Sequence, residues 1–300
     1  MQVHFGLEHL VAEWPEAVGC IGTFDGVHLG HQTVITQTVR RAREIGVPAV
    51  LITFDRHPAA VLHPTRAPLA IGSVESNLAR FAELGVDIAL ILPFTKELAH
   101  TSADTFFQLV ILGGVRLKEI VVGHDFAFGH NRVGTPEWLS ERMPTEKIPA
   151  YLNEGARVSS SAIRQAVQEG RVEDAAKWLG RPFTIPGVIV RGQQLGRKIG
   201  YPTANLARSF HQVLPADGIY GGMMTGAFGA FRAAVSIGKR PTVQGTDRTI
   251  EAFLIDYKGD EFYGESVELA LTQWIREERH FDSLDAMCEQ IAKDVMIAQG

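Results

Sequence analysis

Two hydrophobic rhythms divide this chain, and they exclude most ways of folding it as one repeated architecture. Over residues 1 to about 180, continuous apolar runs alternate with stretches of helical period. "AVGCIGTF", "PAVLITF", "VDIALIL" and "EIVVG" are the apolar runs. Between them, "TVITQTVRRAREIG" sets Val34, Ile35, Thr38, Val39, Ala42 and Ile45 on one helical face, with Gly46 as a stop. "VESNLARFAELG" and "SADTFFQLVILG" carry the same period, and Thr101 with Asp104 stands at capping-box spacing for the latter. Apolar strands without alternation, separated by helices, predict a parallel sheet covered on both faces. Ligands in such sheets bind beyond the carboxyl ends of the strands. "TFDGVHLGH", "TFDRHP" and "VGHDFAFGH" fall at those ends.

Two short helical patterns, "SSSAIRQAVQEG" and "RVEDAAKWLG", close the first half, and the rhythm changes after "GRP" at 180–182. "FTIPGVIVRG", "GIYGGMMTG", "FRAAVSIG", "TIEAFLIDY" and "ESVELALTQWI" read as short strands joined by glycine-rich turns, the pattern of an all-β barrel. A final helix is expected with Leu284, Met287, Cys288, Ile291, Val295 and Met296 on one face and Asp282 with Asp285 as its capping signal. The expected domains are 1–182 and 183–300. The 300 residues suffice for two cores.

Composition narrows the classes. A net charge of −5 offers no bulk attraction to nucleic acid or to an anionic membrane. No apolar run approaches the roughly 20 residues of a membrane span. The first residues lack a basic start followed by an apolar stretch, so no signal peptide is expected and the cytoplasm is the default compartment. Two cysteines, Cys20 and Cys288, form neither a disulfide framework nor a four-ligand zinc site.

The stretch "GTFDGVHLGH" concentrates the chemistry. His28 and His31 stand three apart where a strand hands over to a helix, among Gly22, Gly26 and Gly30. Solvated, core-buried and metal-ligating histidines are all open readings, the last lacking a third ligand at fixed spacing. Phosphate binding is the sharper one. A helix N-terminus presents amides and a positive dipole end, and imidazoles at i and i+3 share one side of the first turn.

This stretch also resembles the H-x-G-H signature of nucleotidylyltransferases, in the G-x-F-D-G-x-H-x-G-H form of bacterial bifunctional riboflavin kinase/FAD synthetases. "SSSAIR", Ser159 to Arg164, is similar to that family's S-S-T-x-I-R segment, with Ser161 in the threonine place. "LGRKIGYPTANL" resembles the kinase segment G-R-x-x-G-x-P-T-A-N, and "IGKRPTV", "IEAFLIDY", "FYGE" and "IREERHFDSLDAM" follow in family order. The chain departs from the family at Ala127, where many members have Arg, and at Asn77, where many have Lys.

The resemblance implies an α/β nucleotidylyltransferase domain with a Rossmann-like parallel sheet, then a six-stranded riboflavin-kinase barrel with a terminal helix. It implies phosphorylation of riboflavin to FMN by the barrel and adenylylation of FMN to FAD, releasing pyrophosphate, by the first domain. ATP, riboflavin and FMN are then the small-molecule partners, and Mg²⁺ accompanies ATP. Carried over, His28 and His31 are catalytic, and Gly22, Phe24, Gly30, Ser160, Ser161 and Arg164 bind ATP. Asp25 orders the turn. His57 and Asp125 are flavin contacts, with local turn structure as the competing role. In the kinase, Glu251 is the base, Thr203 and Asn205 hold the metal, and Gly192, Gly196, Arg197 and Gly200 bind ATP. Glu251 as an ordinary strand carboxylate and "GRKIGYP" as a plain β-turn are the competing readings. Competing functions are a kinase with an impaired adenylyl site, a nucleotidylyltransferase with another acceptor, and a flavin carrier.

Overall fold

A computed structural model describes residues 1–7, 15–192, 196, 199–242 and 245–300. The chain divides into two compact units, Met1–Ser160 and Ser161–Gly300.

In the first unit, strands β1 (Gln2–Phe5), β2 (Ala17–Ile21), β3 (Ala49–Phe54), β4 (Ile88–Leu92), β5 (Leu117–Gly123) and β6 (Thr145–Ile148) form one sheet in the order β1-β4-β3-β2-β5-β6. Every neighbouring pair is parallel. Alternate residues of the same strand feed two separate cores. Ala17, Ile21, Val50, Ile52, Ile120 and Val122 pack with Phe106, Phe107 and Ile111. Val18, Cys20, Leu51 and Val121 pack with Val34, Ile35 and Phe81. That is why these strands read as unbroken apolar runs: both faces are covered. Burial raises the Cys20 thiol to a pKa of about 12, so it acts as a small hydrophobe.

Helix α1 (Leu29–Ile45) follows β2 and stops at Gly46, whose φ of 71° is left-handed. Helix α2 (Val74–Glu83) follows β3. The helix at Ala103–Phe106 is capped by Ser102, which accepts from the Thr105 amide at 3.0 Å, and not by Thr101. Thr101 ends the preceding helix, its hydroxyl donating to the Glu97 carbonyl. The run continues as a π-turn segment over Phe107–Gly114.

The second unit is a closed antiparallel barrel. Its strands are β7 (Phe183–Val190), β8 (Thr203–Arg208), β9 (Gly218–Gly226), β10 (Gly229–Thr242), β11 (Gly245–Leu254) and β12 (Ser266–Arg276), ordered β8-β11-β10-β9-β12-β7. Strand β8 is the motif "PTAN" extended, which the sequence pattern did not mark as a strand. Ile185, Tyr220, Val235, Ile237, Ile250, Ala252 and Leu269 fill the interior. Alternation therefore turns Glu251 and Phe253 outward. Helix α3 (Ser160–Gln168) precedes the barrel strands in the chain, and α4 (Val172–Leu179) packs on β12 and β7. The Glu173 carboxylate accepts from the Trp274 amide at 2.7 Å.

The terminal helix α5 (Leu284–Gln299) departs from expectation in two ways. Its N-cap is Ser283, accepting from the Ala286 amide at 3.2 Å, rather than Asp282. Its supposed apolar face is not uniformly buried: Leu284 is 64% and Met296 67% exposed. Met287 and Ile291 line open space beside the barrel instead of a packed core. Among the described residues, no helix is long and apolar enough to cross a membrane.

Candidate functional site

The first unit switches direction at β2. The chain runs β2, β3, β4 to one side of β2, then returns to its other side with β5 and β6. The crevice outside the carboxyl ends of β2 and β5 is where such a sheet binds ligands. Gly22–His31 follows β2 there, and the Asp125 loop follows β5.

His28 is the N-cap of α1, and its Nδ1 accepts from the His31 amide at 3.2 Å. That bond assigns the acceptor role to Nδ1, so a neutral His28 carries its proton on Nε2. The His28 and His31 rings stack at 3.6 Å between centroids, 19° from parallel. Gly30 makes this possible, because a Cβ there would stand 3.1 Å from His28 Cε1. His28 is 6% exposed. Phe24 is 3% exposed and meets the His31 ring edge-on at 5.3 Å, so it supports the imidazole from the core side. Gly22 passes beneath the Phe24 ring, where a Cβ would stand 3.2 Å away.

Asp25 is spent on structure. Its carboxylate accepts from the Ile71 amide at 3.0 Å and the Gly72 amide at 3.2 Å. The Ser160 hydroxyl donates to the Asp25 carbonyl at 3.2 Å. The loop after β2, the loop before α2 and the end of the unit are thereby tied together. Ser161 and Arg164 lie on α3 within the second unit.

The two flavin candidates have local partners. His57 Nδ1 accepts from the Ala59 amide at 3.1 Å, shaping its own turn. Asp125 pairs with Arg157, is also 3.9 Å from His124 Nδ1, and its side chain is 63% exposed. Asn77 lies in the first turn of α2, against Gly72, and Ala127 lies in the loop after β5.

In the second unit, β8 and β11 bring three sequence candidates together. Asn205 stands opposite Glu251 in register, and the Thr203 hydroxyl donates to Glu251 Oε2 at 3.0 Å. Gly192 abuts Asn205, since a Cβ would stand 2.3 Å from its Nδ2. Gly196 turns the loop, its carbonyl accepting from the Ile199 and Tyr201 amides, and Gly200 has a φ of 83°. Arg197 lies outside the described residues.

Glu251, Thr203, Tyr201 and Gly196 open onto a cavity of about 470 Å³. Ile219, Phe281, Met287 and Ile291 contribute apolar lining, beside the charged Lys239, Arg276 and Arg279. A volume of this size suits a small-molecule substrate. Glu278 also lines it, and burial, then the nearby Asp217 carboxylate, raise its carboxyl above the ordinary range. The oxygens of Thr203, Asn205 and Glu251 are hard donors, two of them neutral, as befits a magnesium ion shared with a polyphosphate. Among the described residues no cluster of three His, Cys, Asp or Glu could hold a metal by itself.

Sequence reasoning missed Arg276 and Asp294 on this cavity. Asp294 was findable. It stands in helical register with Met287 and Ile291, and an ionisable group at an apolar position needs a partner.

The comparisons agree with this anatomy. The FAD synthetase family model matches residues 10–162 and the riboflavin kinase family model residues 179–300. A bifunctional riboflavin kinase/FMN adenylyltransferase of Pseudomonas fluorescens is 34% identical, covering 100% of this chain and 97% of its own. The protein of the same description from Escherichia coli strain K12 is 33% identical, covering 97% of this chain and 95% of its own. A crystal structure from Streptococcus pneumoniae, described as a macrolide-efflux protein, matches with a TM-score of 0.93 at 30% identity, covering 100% of this chain and 99% of that one. With these matches running end to end, the chain belongs to the bifunctional riboflavin kinase/FMN adenylyltransferase family.

Proposed function

We infer that the chain makes FAD from riboflavin in two ATP-dependent steps, each on its own unit. The barrel transfers the γ-phosphoryl group of ATP to riboflavin, giving FMN and ADP. The α/β unit joins FMN to the AMP moiety of a second ATP, giving FAD and pyrophosphate. The single observation that carries the reading is Glu251 facing the cavity, oriented by the Thr203 hydroxyl at 3.0 Å and flanked by Asn205.

The kinase nucleophile is an alcohol, so it benefits from a base. Glu251 accepts the proton of the riboflavin hydroxyl as that oxygen attacks the γ-phosphorus and ADP departs. Thr203 and Asn205 would hold Mg²⁺, which supplies charge neutralisation at the ATP phosphates. Gly192, Gly196 and Gly200 are assigned to the loop toward those phosphates, and Arg197 to neutralising charge there.

The adenylyl transfer needs no comparable base, because the FMN phosphate is already an anion. Its work is to hold two polyanions together and to neutralise the leaving pyrophosphate. His28 donates from Nε2, and His31, backed by Phe24, stands beside it. Gly22 and Gly30 give the backbone room. Ser160, Ser161 and Arg164 are assigned to the ATP phosphates, and His57 and Asp125 to the flavin side. We assign the activities to 1–182 and 183–300, in the cytoplasm.

Incubation with riboflavin and Mg-ATP, followed by separation of the flavins, tests the whole reading. FMN should appear first and FAD after it. FMN without FAD would leave only the kinase. Bound but unchanged riboflavin would make the protein a carrier.

A further inference from the structure

A 16-residue helix ordinarily docks through a stripe of buried apolar side chains. The buried residues of α5 are instead Asp294 and Ala298. Asp294 is 3% exposed, and its carboxylate receives Arg276 Nε at 2.9 Å and Nη2 at 2.7 Å. Gln290 adds a third donor at 2.9 Å. Arg276 Nη1 donates to the Glu277 carbonyl at 2.8 Å, and the guanidinium lies 5.8 Å from the Phe281 ring. One guanidinium therefore ties together the end of β12, the segment that follows it and the C-terminal half of α5. The N-terminal half of α5 supplies Met287 and Ile291 to the cavity wall. Arg276, Phe281 and Asp294 border the same cavity as Glu251.

We propose that Arg276 and Asp294 are positioning residues for riboflavin, the buried pair fixing the apolar wall of α5 at the distance that receives the flavin ring. The inference rests on reading this unit as the riboflavin kinase. It separates two sides of one cavity. The glycine loop, Thr203 and Asn205 offer polar groups that suit ATP phosphates. Ile219, Phe281, Met287 and Ile291 offer a surface that suits a flat ring system, and the last three lie on the segments that the pair joins. A planar, bidentate guanidinium sets both distance and angle, which a lysine would not.

The test uses the full-length chain with two variants. Asp294→Asn keeps shape and leaves Arg276 without its anion. Arg276→Met/Asp294→Leu removes both charges and replaces them with apolar volume, an exchange that commonly preserves or raises stability at a buried ion pair. We expect riboflavin KM to rise on the order of 10- to 100-fold in both, the scale of a displaced substrate-positioning contact. ATP KM should stay within about twofold, and FAD formation from supplied FMN should be unchanged. A purely structural pair predicts otherwise: the folded double variant would phosphorylate riboflavin with wild-type KM, and the proposal would fall. It would also fall if both variants unfolded the barrel. If the wild-type chain did not phosphorylate riboflavin, the reading of the unit itself would be wrong, which is a different result from a variant with unaltered KM.

Discussion

Thr203 and Glu251 lie diagonally across two antiparallel strands of the barrel, and the Thr203 hydroxyl donates to the Glu251 carboxylate at 3.0 Å. Asn205 and Glu251 stand 46 positions apart in sequence, yet they are direct partners in register. The bond orients the carboxylate, which lines the cavity. Glu251→Gln preserves shape and removes the base. We expect FMN production to fall by about 10²–10⁴-fold with riboflavin and ATP binding nearly unchanged. FAD formation from supplied FMN should be unaffected. Steady-state kinetics with each flavin checks this, and a mutant with wild-type kinase turnover would return Glu251 to the rank of a strand carboxylate.

His28 and His31 form a stacked pair at the start of α1. His28→Ala also removes the N-cap of α1, whereas His31→Ala leaves that cap's acceptor in place. Both substitutions should slow FAD formation by about 10²–10³-fold, the loss expected for one preorganised donor. His28→Ala should in addition cost about 1 kcal/mol of stability from the lost cap. FMN formation should persist in both. Chemical denaturation alongside flavin separation distinguishes the two effects.

Helix α4 bears on where the kinase can be cut free. Val172, Ala175 and Leu179 are buried, and Glu173 holds the Trp274 amide. A fragment of 161–300 should therefore melt higher than one of 184–300, by the equivalent of roughly 3 kcal/mol or more for three buried apolar side chains. The longer fragment should phosphorylate riboflavin and make no FAD. A folded 161–300 fragment without kinase activity would end the two-domain reading.

Asp87 gives a pH dependence in the first unit. Hydrogen bonds from Arg43 hold its carboxyl below the usual carboxylate range, and the Ala49 amide adds to the effect. Because its native pKa lies below the unfolded value, it stabilises the fold at neutral pH. That contribution disappears as pH falls from about 4 through the lower native value. Asp87→Asn should cost about 1 kcal/mol at pH 7, modest because the pair is partly solvated. The gap between wild type and mutant should close in acid. Thermal melts at pH 7 and pH 3 measure it, and a gap that widened in acid would contradict the assignment.

Much of this protein was legible one segment at a time. Apolar runs without alternation announced strands covered on both faces, because a parallel strand buries every side chain whichever way it points. Glycine-punctuated short strands announced the barrel. The His28–His31 spacing and the strand-to-helix handover marked the start of α1, where the two rings stack. These features depend on neighbours within a few residues, and a linear pattern records them.

What the pattern did not contain depends on register and closure. That Thr203 meets Glu251 follows from how β8 pairs with β11. That Phe24 supports His31 from the core side, and that Asp25 anchors Ile71 and Gly72, follows from how loops return across the first unit. The terminal helix shows the limit most plainly. Its period offered an apolar face, but the barrel beside it leaves a cavity whose walls include Met287 and Ile291, and Leu284 is exposed. Asp294 is buried there because Arg276, at the end of β12, stands opposite it. A buried carboxylate needs a counter-charge, and only the closed barrel decides which residue supplies it.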